Sequence, residues 1–385
     1  MRHHNSVLHG LLKHIPWSVF DDLVEAHGAD ARVRRLTTKS QLVALLYGQL
    51  AGAVSLREIE TSLASHAARL YHLGARPVSR STLADANAQR PHAVFTGLFS
   101  ALAMQASRGF RRASADAVRL IDSTGLRLSG IAAQWARFAD GVCGAKAHVI
   151  YDPDAAQPLY LAVTPARVND ITAAHAMPIE PGATYVFDLG YYHFAWWAQL
   201  DAAGCRLVTR VKANTPLAVL AERPVAGAGL LYDRIGQLPA RLAGRRANPF
   251  AKPVREIGVC REDGRVLRVL TNDLDAEAAE IAALYKRRWA VELFFRWVKQ
   301  TLKIRHFLGR SENAVRIQIA VALIAYLLLH LARQACRILE SPLAFARLVR
   351  VNILHRRTLD RLLTAPPPPI HDPRQLSLTF NQPCT

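Results

Sequence analysis

The first hundred residues show the apolar spacing of helices. Apolar residues recur every three or four positions, which places them on one face of a helix. Ser55 followed by Glu58 forms a capping-box pattern at the start of one of these helices. This part of the chain is therefore predicted to be all-α. The predicted helices are Val7–Ile15, Val19–Ala26, Ser40–Leu50, Leu56–Leu70 and Ala93–Met104.

From residue 115 the pattern changes to short apolar, β-branched and aromatic runs, which are typical of strands. Asp152-Pro153-Asp154 predicts the turn of a hairpin between the second and third runs. A short helix capped by Asn169-Asp170 and a helix over His193–Ala203 separate the later runs. Three antiparallel strands followed by two parallel ones give the order of a ribonuclease-H-like mixed sheet, an α/β fold. The runs are Val118–Ile121, Ala147–Tyr151, Leu159–Val163, Tyr185–Phe187 and Arg206–Val211.

Residues 213–275 interrupt this order. Glu256–Cys260 and Arg265–Leu270 predict a β-hairpin, so the segment is interpreted as an inserted β-rich subdomain. Long helices are predicted over Ala276–Lys303 and Ala314–Ile338. The apolar part of the second helix is about 15 residues long, which is shorter than a membrane span and favours a buried helix.

The net charge of the chain indicates what kind of molecule the protein binds. The net charge is +19, with 41 Arg and 8 Lys, and such a surplus favours a polyanion such as nucleic acid. A genome biased towards Arg codons would also explain the Arg excess. The distribution is more informative. Residues 286–361 hold 16 basic and 4 acidic side chains, and residues 1–112 hold 14 and 7.

The cysteines and the N-terminus exclude other classes. The five cysteines are scattered and include no Cys-x-x-Cys, which argues against a disulfide framework or a thiolate zinc site. A reducing cytoplasm is therefore expected. Met1–Trp17 lacks the apolar core of a signal peptide.

A turn and a short helix near residue 80 resemble a DNA-reading element. Gly74–Pro77 predicts the turn, and Ser79–Thr82 opens a helix that begins with Ser, Arg and Thr. This order is typical of a helix-turn-helix, although any small helical bundle gives similar strings.

Two aspartates follow apolar runs. Asp122 is predicted to end one strand and Asp188 another, at the edge of the sheet where ligands collect. Each also fits the ordinary role of an Asp that starts a turn.

The first long helix carries one polar face. Tyr285, Arg288, Glu292 and Lys299 share an arc of about 60°, at roughly 100° per residue. Arg296 and Lys303 fall close to it. One interpretation is a solvated face on which Glu292 pairs with Arg288 and Arg296. The other is a metal-binding Glu292 between groups that hold phosphates. The opposite face, predicted to be core, holds Ala290, Leu293, Phe294, Trp297 and Val298.

The string Tyr-x2-Arg-x3-Glu-x6-Lys resembles the signature of IS4-type DDE transposases. Asp122 in Asp-Ser-Thr and Asp188 in Phe-Asp-Leu-Gly-Tyr-Tyr are similar to the two aspartates of that family, and Thr271-Asn272-Asp273 is similar to its strand exit. The resemblance covers about 115–335. The helical N-terminal part resembles the domain that precedes this core in some insertion-sequence transposases.

The resemblance implies an enzyme that cleaves phosphodiester bonds at transposon ends and joins the freed 3′ ends to target DNA. It implies two Mg²⁺ (or Mn²⁺) ions held by a catalytic triad. It also implies double-stranded DNA with terminal inverted repeats as the partner, a homodimer on paired ends, and action at the nucleoid with no membrane. The triad would be Asp122, Asp188 and Glu292, and Tyr285, Arg288 and Lys299 would contact the DNA.

In one respect the chain departs from some of these relatives. They open the DNA end as a hairpin and stack a flipped base on a Trp of the insertion, but none of the six tryptophans here lies in residues 213–275. Trp289, beside Arg288, is an alternative base-stacking residue or a packing residue.

The predicted domains are therefore three. Residues 1–112 form a helical DNA-binding domain, and residues 113–338 form the catalytic domain with its insertion. Residues 339–385 form a basic segment and a Pro-rich tail around Pro366–Pro369.

Three rival functions are a DNA-binding protein without catalysis, such as a domesticated element, a ribonuclease-H-like nuclease of repair or defence, and a two-carboxylate glycosidase. The basic charge argues against the glycosidase.

Overall fold

The structure is a computed structural model that describes residues 6–107, 117–128, 135–139, 142–227, 229–241, 247–302 and 307–362. Lys303, Cys384 and the Pro-rich run at 366–369 lie outside the described residues.

The N-terminal part is helical, as predicted. Ser55 caps its helix as predicted, since Ser55 Oγ accepts from the backbone N–H of Glu58, while Glu58 Oε2 accepts from the N–H of Val54, one residue before the cap. The single helix predicted over Leu56–Leu70 is wrong, because the helix is interrupted at His66. The helices are α1 (Val7–Leu12), α2 (Trp17–Ala26), α3 (Thr38–Ala51), α4 (Leu56–Ser65), α5 (Ala67–Leu70), α6 (Arg80–Gln89) and α7 (His92–Ser107).

The remaining elements form one large sheet with helices on both faces. The strands are β1 (Val118–Leu128), β2 (Arg137–Ala139), β3 (Val142–Asp152), β4 (Gln157–Pro165), β5 (Thr184–Val186), β6 (Arg206–Arg210), β7 (Ala218–Arg223), β8 (Leu230–Gln237), β9 (Val254–Cys260) and β10 (Val266–Thr271). The helices are α8 (Asp170–Ala174), α9 (Phe194–Ala202), α10 (Ala278–Arg287), α11 (Trp289–Thr301), α12 (Glu312–Ala335) and α13 (Pro342–Asn352).

The strand order confirms the ribonuclease-H-like mixed sheet. β4, β3 and β1 are antiparallel neighbours, and β1, β5 and β6 are parallel neighbours. The parallel part is short, because only three residues of β5 take part in it. The two parallel crossovers run through α8 and α9, as the polar breaks in the sequence predicted.

The strands of residues 213–275 extend this same sheet. β10 pairs antiparallel with β6, with Thr271 opposite Val208, and β9, β8 and β7 follow in turn. A buried ion pair, Arg255 Nη2 to Asp233 Oδ2 at 2.6 Å, joins β9 to β8. The β-rich insertion is therefore continuous with the main sheet, where the sequence suggested an inserted subdomain.

Side chains of β1 alternate between two cores, one on each face of the sheet. Leu120 and Leu126 belong to the core that contains α11 and α12, and Ile121 belongs to the core of α9, with Trp196 and Trp197. By the same alternation, Asp122 faces the side of α11 and Ser123 faces the side of α9.

The long helix α12 joins the helical part to the sheet. It contacts α3, α6 and α7 on one side and β4 on the other. Its length and hydropathy would suit a membrane span, but 72% of its most apolar window is buried inside the protein. α12 is therefore a buried core helix, as predicted, although the helix is longer than the apolar run from which that prediction was made.

The C-terminal segment closes onto the N-terminal helices. The backbone N–H groups of Val7 and Leu8 donate to the carbonyls of His355 and Ile353. Arg69 Nη1 donates to the carbonyl of Leu354 at 2.6 Å. Residues 353–355 thus supply the acceptors for donors that begin α1.

Candidate active site

The register of two parallel strands brings Asp122 and Asp188 to one edge of the sheet. β1 and β5 are paired as far as Leu120 opposite Val186. Two residues further along each strand, the chain reaches Asp122 and Asp188. The two carboxylates therefore lie at the same level of neighbouring strands, where the parallel pairing has ended.

Asp122 lies inside β1, and the prediction that it ends the strand is wrong. β1 continues to Leu128 because it stays paired with β3, in which Val149 is opposite Asp122. The backbone N–H of Ser123 donates to Asp122 Oδ1 at 2.8 Å. Only the pairing with β5 stops before Asp122, and this is what leaves room beside its side chain.

Asp188 follows its strand, as predicted. β5 ends at Val186, and Asp188 caps a 3-10 turn over Leu189–Tyr191. Asp188 Oδ1 accepts from the backbone N–H of Gly190 at 2.8 Å. This bond holds the carboxylate at the mouth of the turn.

Glu292 comes from the helix that covers β1. The long helix predicted over Ala276–Lys303 is broken at Arg288 into α10 and α11, and Glu292 lies in the first turn of α11. Arg288 Nη2 is 2.6 Å from Glu292 Oε1, and Arg288 Nη1 is 3.8 Å from Asp122 Oδ2. The guanidinium therefore links a carboxylate of the helix to a carboxylate of the sheet.

The electrostatics of Asp122 show that three carboxylates share this region. Burial, together with the nearby carboxylates of Asp188 and Glu292, raises the pKa of Asp122 to about 6, while the N–H of Ser123 and the charge of Arg288 oppose the rise. Like charges raise the pKa of a carboxyl group only at short range. The cluster therefore concentrates negative charge, of which Arg288 neutralises a part.

A cavity of about 380 Å³ opens between β1 and α11. Its lining combines acidic and basic side chains, which suits a metal ion beside a phosphate backbone. Three of the predicted site residues, Asp122, Glu292 and Lys299, line it. The lining residues are Asp122, Ser123, Thr124, Glu292, Phe295, Arg296, Lys299 and Gln300.

Tyr285 and Arg288 line a second, larger groove of about 990 Å³ between α10 and the β9–β10 hairpin. Tyr285 is buried, and burial raises the pKa of its hydroxyl. The Arg288 guanidinium lies 5.8 Å from the centre of the Tyr285 ring. The break at Arg288 thus divides the predicted polar face between two openings.

The core face of α11 differs from the prediction, which included Leu293 but neither Val291 nor Phe295, both of which are buried. Val291, Phe294 and Val298 are buried, but Leu293 is 46% exposed. Trp289 is 50% exposed and lines the second groove, so its packing is incomplete.

Arg210 is a site residue that sequence reasoning missed. β6 pairs in parallel with β5, with Val208 opposite Val186, so Arg210 ends at the level of Asp188. Its charge acts on Tyr285, and within the described residues its buried Nε has no hydrogen-bond partner. In the sequence, Arg210 is a basic residue near the end of the fifth apolar run. It can be assigned to the site only when the strand register is known.

The chemistry of the donors fits a hard divalent cation. All three candidate ligands are carboxylates, which Mg²⁺ and Mn²⁺ prefer over thiol or imidazole ligands. Within the described ranges, no group of three or more His, Cys, Asp or Glu side chains is close enough to hold a metal ion. Arg288 supplies the positive charge between Asp122 and Glu292 in this arrangement.

Comparison with known proteins identifies the family. The family described as "Transposase DDE domain" matches residues 113–328, and a domain of unknown function matches residues 3–76. Transposase y4zB of Sinorhizobium fredii is 43% identical over 305 residues, which cover 77% of this chain and 85% of that protein.

Two further similarities reach across most of the chain. A transposase for insertion sequence element IS5377 of Geobacillus stearothermophilus is 29% identical over 282 residues, covering 70% of this chain and 72% of that protein. A solved piggyBac transposase synaptic complex with hairpin DNA has a TM-score of 0.47 at 12% identity, covering 95% of this chain and 83% of that one. By the match over its whole sheet and the 43% relative, the chain belongs to the DDE transposases of insertion sequences, enzymes that cleave DNA and transfer its strands.

Proposed function

We propose that Asp122, Asp188 and Glu292 are the catalytic residues, and that they bind two Mg²⁺ or Mn²⁺ ions. DDE transposases use divalent metal ions, and the observation that carries the assignment is the electrostatic state of Asp122. Its pKa is raised by burial and then by the two other carboxylates, although the three residues come from a strand, a strand end and a helix. Such convergence of like charges is costly unless a cation is to be bound there.

The reaction follows from two displacements at phosphorus. In the first, the oxygen of water bonds to phosphorus, the bond to the 3′ oxygen breaks, and a 3′-hydroxyl is freed. In the second, that hydroxyl bonds to a phosphorus of target DNA and displaces the 3′ oxygen of the target strand. Bound metal ions supply charge neutralisation and activation of the attacking oxygen. The carboxylates of Asp122, Asp188 and Glu292 must be ionised to hold them.

The cations around the triad hold the DNA. Lys299 and Arg296 lie in the cavity with Asp122 and Glu292, where they meet phosphates on one side of the reacting bond. Arg288, with Tyr285 and Arg210 behind it, meets phosphates on the other side. Arg288 has a second role, because it neutralises Asp122 and Glu292 while no metal is bound.

The helical part of the chain, residues 1–112, is proposed to read the transposon end. Ser79 Oγ accepts from the backbone N–H of Thr82 and caps α6, which begins with Arg80. A groove of about 490 Å³ between α4 and α6 is lined by Arg57, Arg80 and Arg310 among others. Three guanidinium groups in one groove suit a phosphate backbone and the base edges next to it.

The proposed substrate is the double-stranded DNA of the element's terminal inverted repeats together with target DNA in the cytoplasm. Holding two ends at once would require a homodimer. Residues 113–338 would be the catalytic domain with residues 213–275 as its β-rich insertion, and residues 339–385 a basic segment followed by the Pro-rich tail. The exposed Trp289 beside Arg288 leaves the hairpin route open.

The test is a strand-transfer assay with Mg²⁺, plasmid target and DNA that carries the sequences flanking the gene. A transposase joins the 3′ end of the element to the plasmid, and the joints can be sequenced. A catalytically inactive binding protein would retain the DNA without product. A ribonuclease-H-like nuclease would cut it without joining. Either result would overturn the proposal.

A further inference from the structure

Asp170, the first residue of α8, contacts the supports of both proposed catalytic aspartates. It lies on the side of β1 that faces α9, away from Glu292. Its side chain is 23% exposed, and the sequence suggested only a helix cap for this position. Asn169, which precedes it, takes the cap position without a side-chain cap bond, so Asp170 has another role.

The first support is the backbone beside Asp122. Ser123 Oγ donates to Asp170 Oδ1 at 2.9 Å, and the N–H of Ser123 donates to Asp122 Oδ1 at 2.8 Å. Lys146 Nζ, from the neighbouring strand β3, donates to the same Asp170 oxygen at 3.0 Å. Two hydrogen bonds through one serine therefore connect Asp170 to Asp122, and a lysine fixes Asp170 in place.

The second support is the turn that carries Asp188. A Cβ added to Gly190 would lie 2.9 Å from Asp170 Oδ2 and 3.1 Å from Asp188 Oδ1. Only a glycine allows both carboxylates to approach this point of the backbone. The second oxygen of Asp170 thus approaches the turn in which the N–H of Gly190 donates to Asp188.

The side chain of Tyr191 lies close to the carboxylates of Asp170, Asp122 and Asp188. Its side chain is fully buried, and its hydroxyl has no hydrogen-bond partner within the described part of the chain. Burial raises the pKa of Tyr191 well above its usual value, and Asp170, Asp122 and Asp188 each raise it further. A buried hydroxyl donor is therefore present close to three carboxylates without bonding to any of them in the described part of the chain.

We propose that Asp170 is a positioning residue, which holds Asp122 through Ser123 and Asp188 through the Gly190 turn at the separation that metal binding requires. This inference rests on the proposed metal-binding triad. Residues that orient metal ligands from behind govern metal affinity, and their loss costs about tenfold to a hundredfold. Asp170 itself is neutralised by Lys146, so it supports the ligands without joining them.

The experiment measures Mn²⁺ binding to the full chain by titration calorimetry, without DNA, alongside the melting temperature. Asp170→Asn keeps an acceptor for Ser123 but loses the attraction to Lys146. We expect about a tenfold or greater loss of Mn²⁺ affinity. The matched control is Asp152→Asn at the end of β3, where Asp152 pairs with Arg119 of β1 at 2.8 Å. It should lower the melting temperature and leave Mn²⁺ affinity unchanged.

Two further variants make every outcome decisive. Gly190→Ala inserts a methyl group between Asp170 and Asp188 and should reproduce the loss of affinity, also if Asp170→Asn fails to fold. Asp188→Asn should abolish binding. If Asp188→Asn abolishes binding while Asp170→Asn and Gly190→Ala bind as well as the unsubstituted protein, the positioning role is wrong. If Asp188→Asn binds normally, the triad itself is wrong.

Discussion

Arg288 forms an ion pair with Glu292, one helical turn further along the chain, at 2.6 Å. The same guanidinium reaches Asp122 on the sheet at 3.8 Å. An arginine between two proposed metal ligands has two consequences, since it competes with the metal ion and is itself available to a phosphate. Both consequences can be separated by substitution.

Replacing Arg288 should raise metal affinity and lower catalysis together. Arg288→Gln removes a unit charge a few ångströms from the carboxylates, which is worth at least about 1 kcal/mol. Mn²⁺ binding without DNA should therefore become severalfold tighter. DNA cleavage should fall by about a hundredfold, because a group that stabilises the reacting phosphate is lost.

The matched control is Arg316→Gln on α12. Arg316 pairs with Glu312, also at i,i+4 and 2.6 Å, outside the site. It should change neither measurement. If Arg288→Gln bound Mn²⁺ more weakly than the unsubstituted protein, Arg288 would be a support of the triad and not its competitor.

Lys299 should act as a phosphate contact. It lines the cavity with Asp122 and Glu292, so Lys299→Ala should weaken binding to transposon-end DNA. The slope of log affinity against log salt should fall by about one, since one fewer counterion is released. Lys252→Ala, on an exposed part of the insertion, removes the same charge and should leave the slope unchanged. If the slope of log affinity against log salt were the same for both variants, the assignment of Lys299 as a phosphate contact would be wrong.

Arg80 should contribute to sequence recognition. Because it begins α6 and lines the groove with Arg57, Arg80→Ala should lower the preference for the transposon end over unrelated DNA by about tenfold, the cost of one base contact. Competition binding measures this ratio. Arg35→Ala, an exposed cation of the same helical part, should weaken both DNAs alike. If Arg80→Ala lost the same affinity for both DNAs, Arg80 would contact only the DNA backbone.

His148 should make the fold sensitive to acid. Burial lowers its pKa to about 4, opposed by Asp170, so the folded protein holds it neutral. The unfolded chain binds its proton near pH 6.5. Below that pH the unfolded state binds more protons than the folded state. The free energy of unfolding therefore has its full value above about pH 6.5 and falls as the pH approaches 4. The loss amounts to about 3 kcal/mol at pH 4.

Denaturant unfolding at several pH values checks this. His148→Gln should remove most of the decline between pH 6.5 and 4, whatever it costs at neutral pH. His27→Gln, at an exposed position, should leave the decline in place. An undiminished decline in His148→Gln would assign the acid sensitivity to other groups.

Local patterns were sufficient for the strand order, and they also pointed to two residues of the proposed triad. The apolar runs at residues 118–121, 185–187 and 206–211 have the alternation of buried strands, and the breaks between them were long enough for helices. This led to a ribonuclease-H-like sheet with Asp188 at a strand end. Glu292 was proposed because helical spacing places it with Arg288 and Lys299.

Local patterns could not predict which strands pair when those strands lie far apart in the sequence. Asp122 seemed to end its strand because Asp-Ser-Thr-Gly reads as a turn, but the pairing with β3 overrides that preference. The pairing of β10 with β6, which makes the insertion part of the main sheet, depends on residues more than 50 positions apart. The break at Arg288 leaves no trace in the apolar spacing, so Leu293 was assigned to the core. The contact of Asp170 with Ser123 likewise requires the folded register.

The most direct test compares two glutamates that the structure places in the same local geometry. Glu292 and Glu312 each pair with an arginine at i,i+4 and 2.6 Å, but only Glu292 lies beside Asp122. The measurement is cleavage of end-labelled transposon-end DNA with Mg²⁺, with DNA retention measured in parallel. We predict that Glu292→Gln abolishes cleavage and still binds the DNA, and that Glu312→Gln cleaves normally. Full cleavage by Glu292→Gln would contradict the assignment of the catalytic triad.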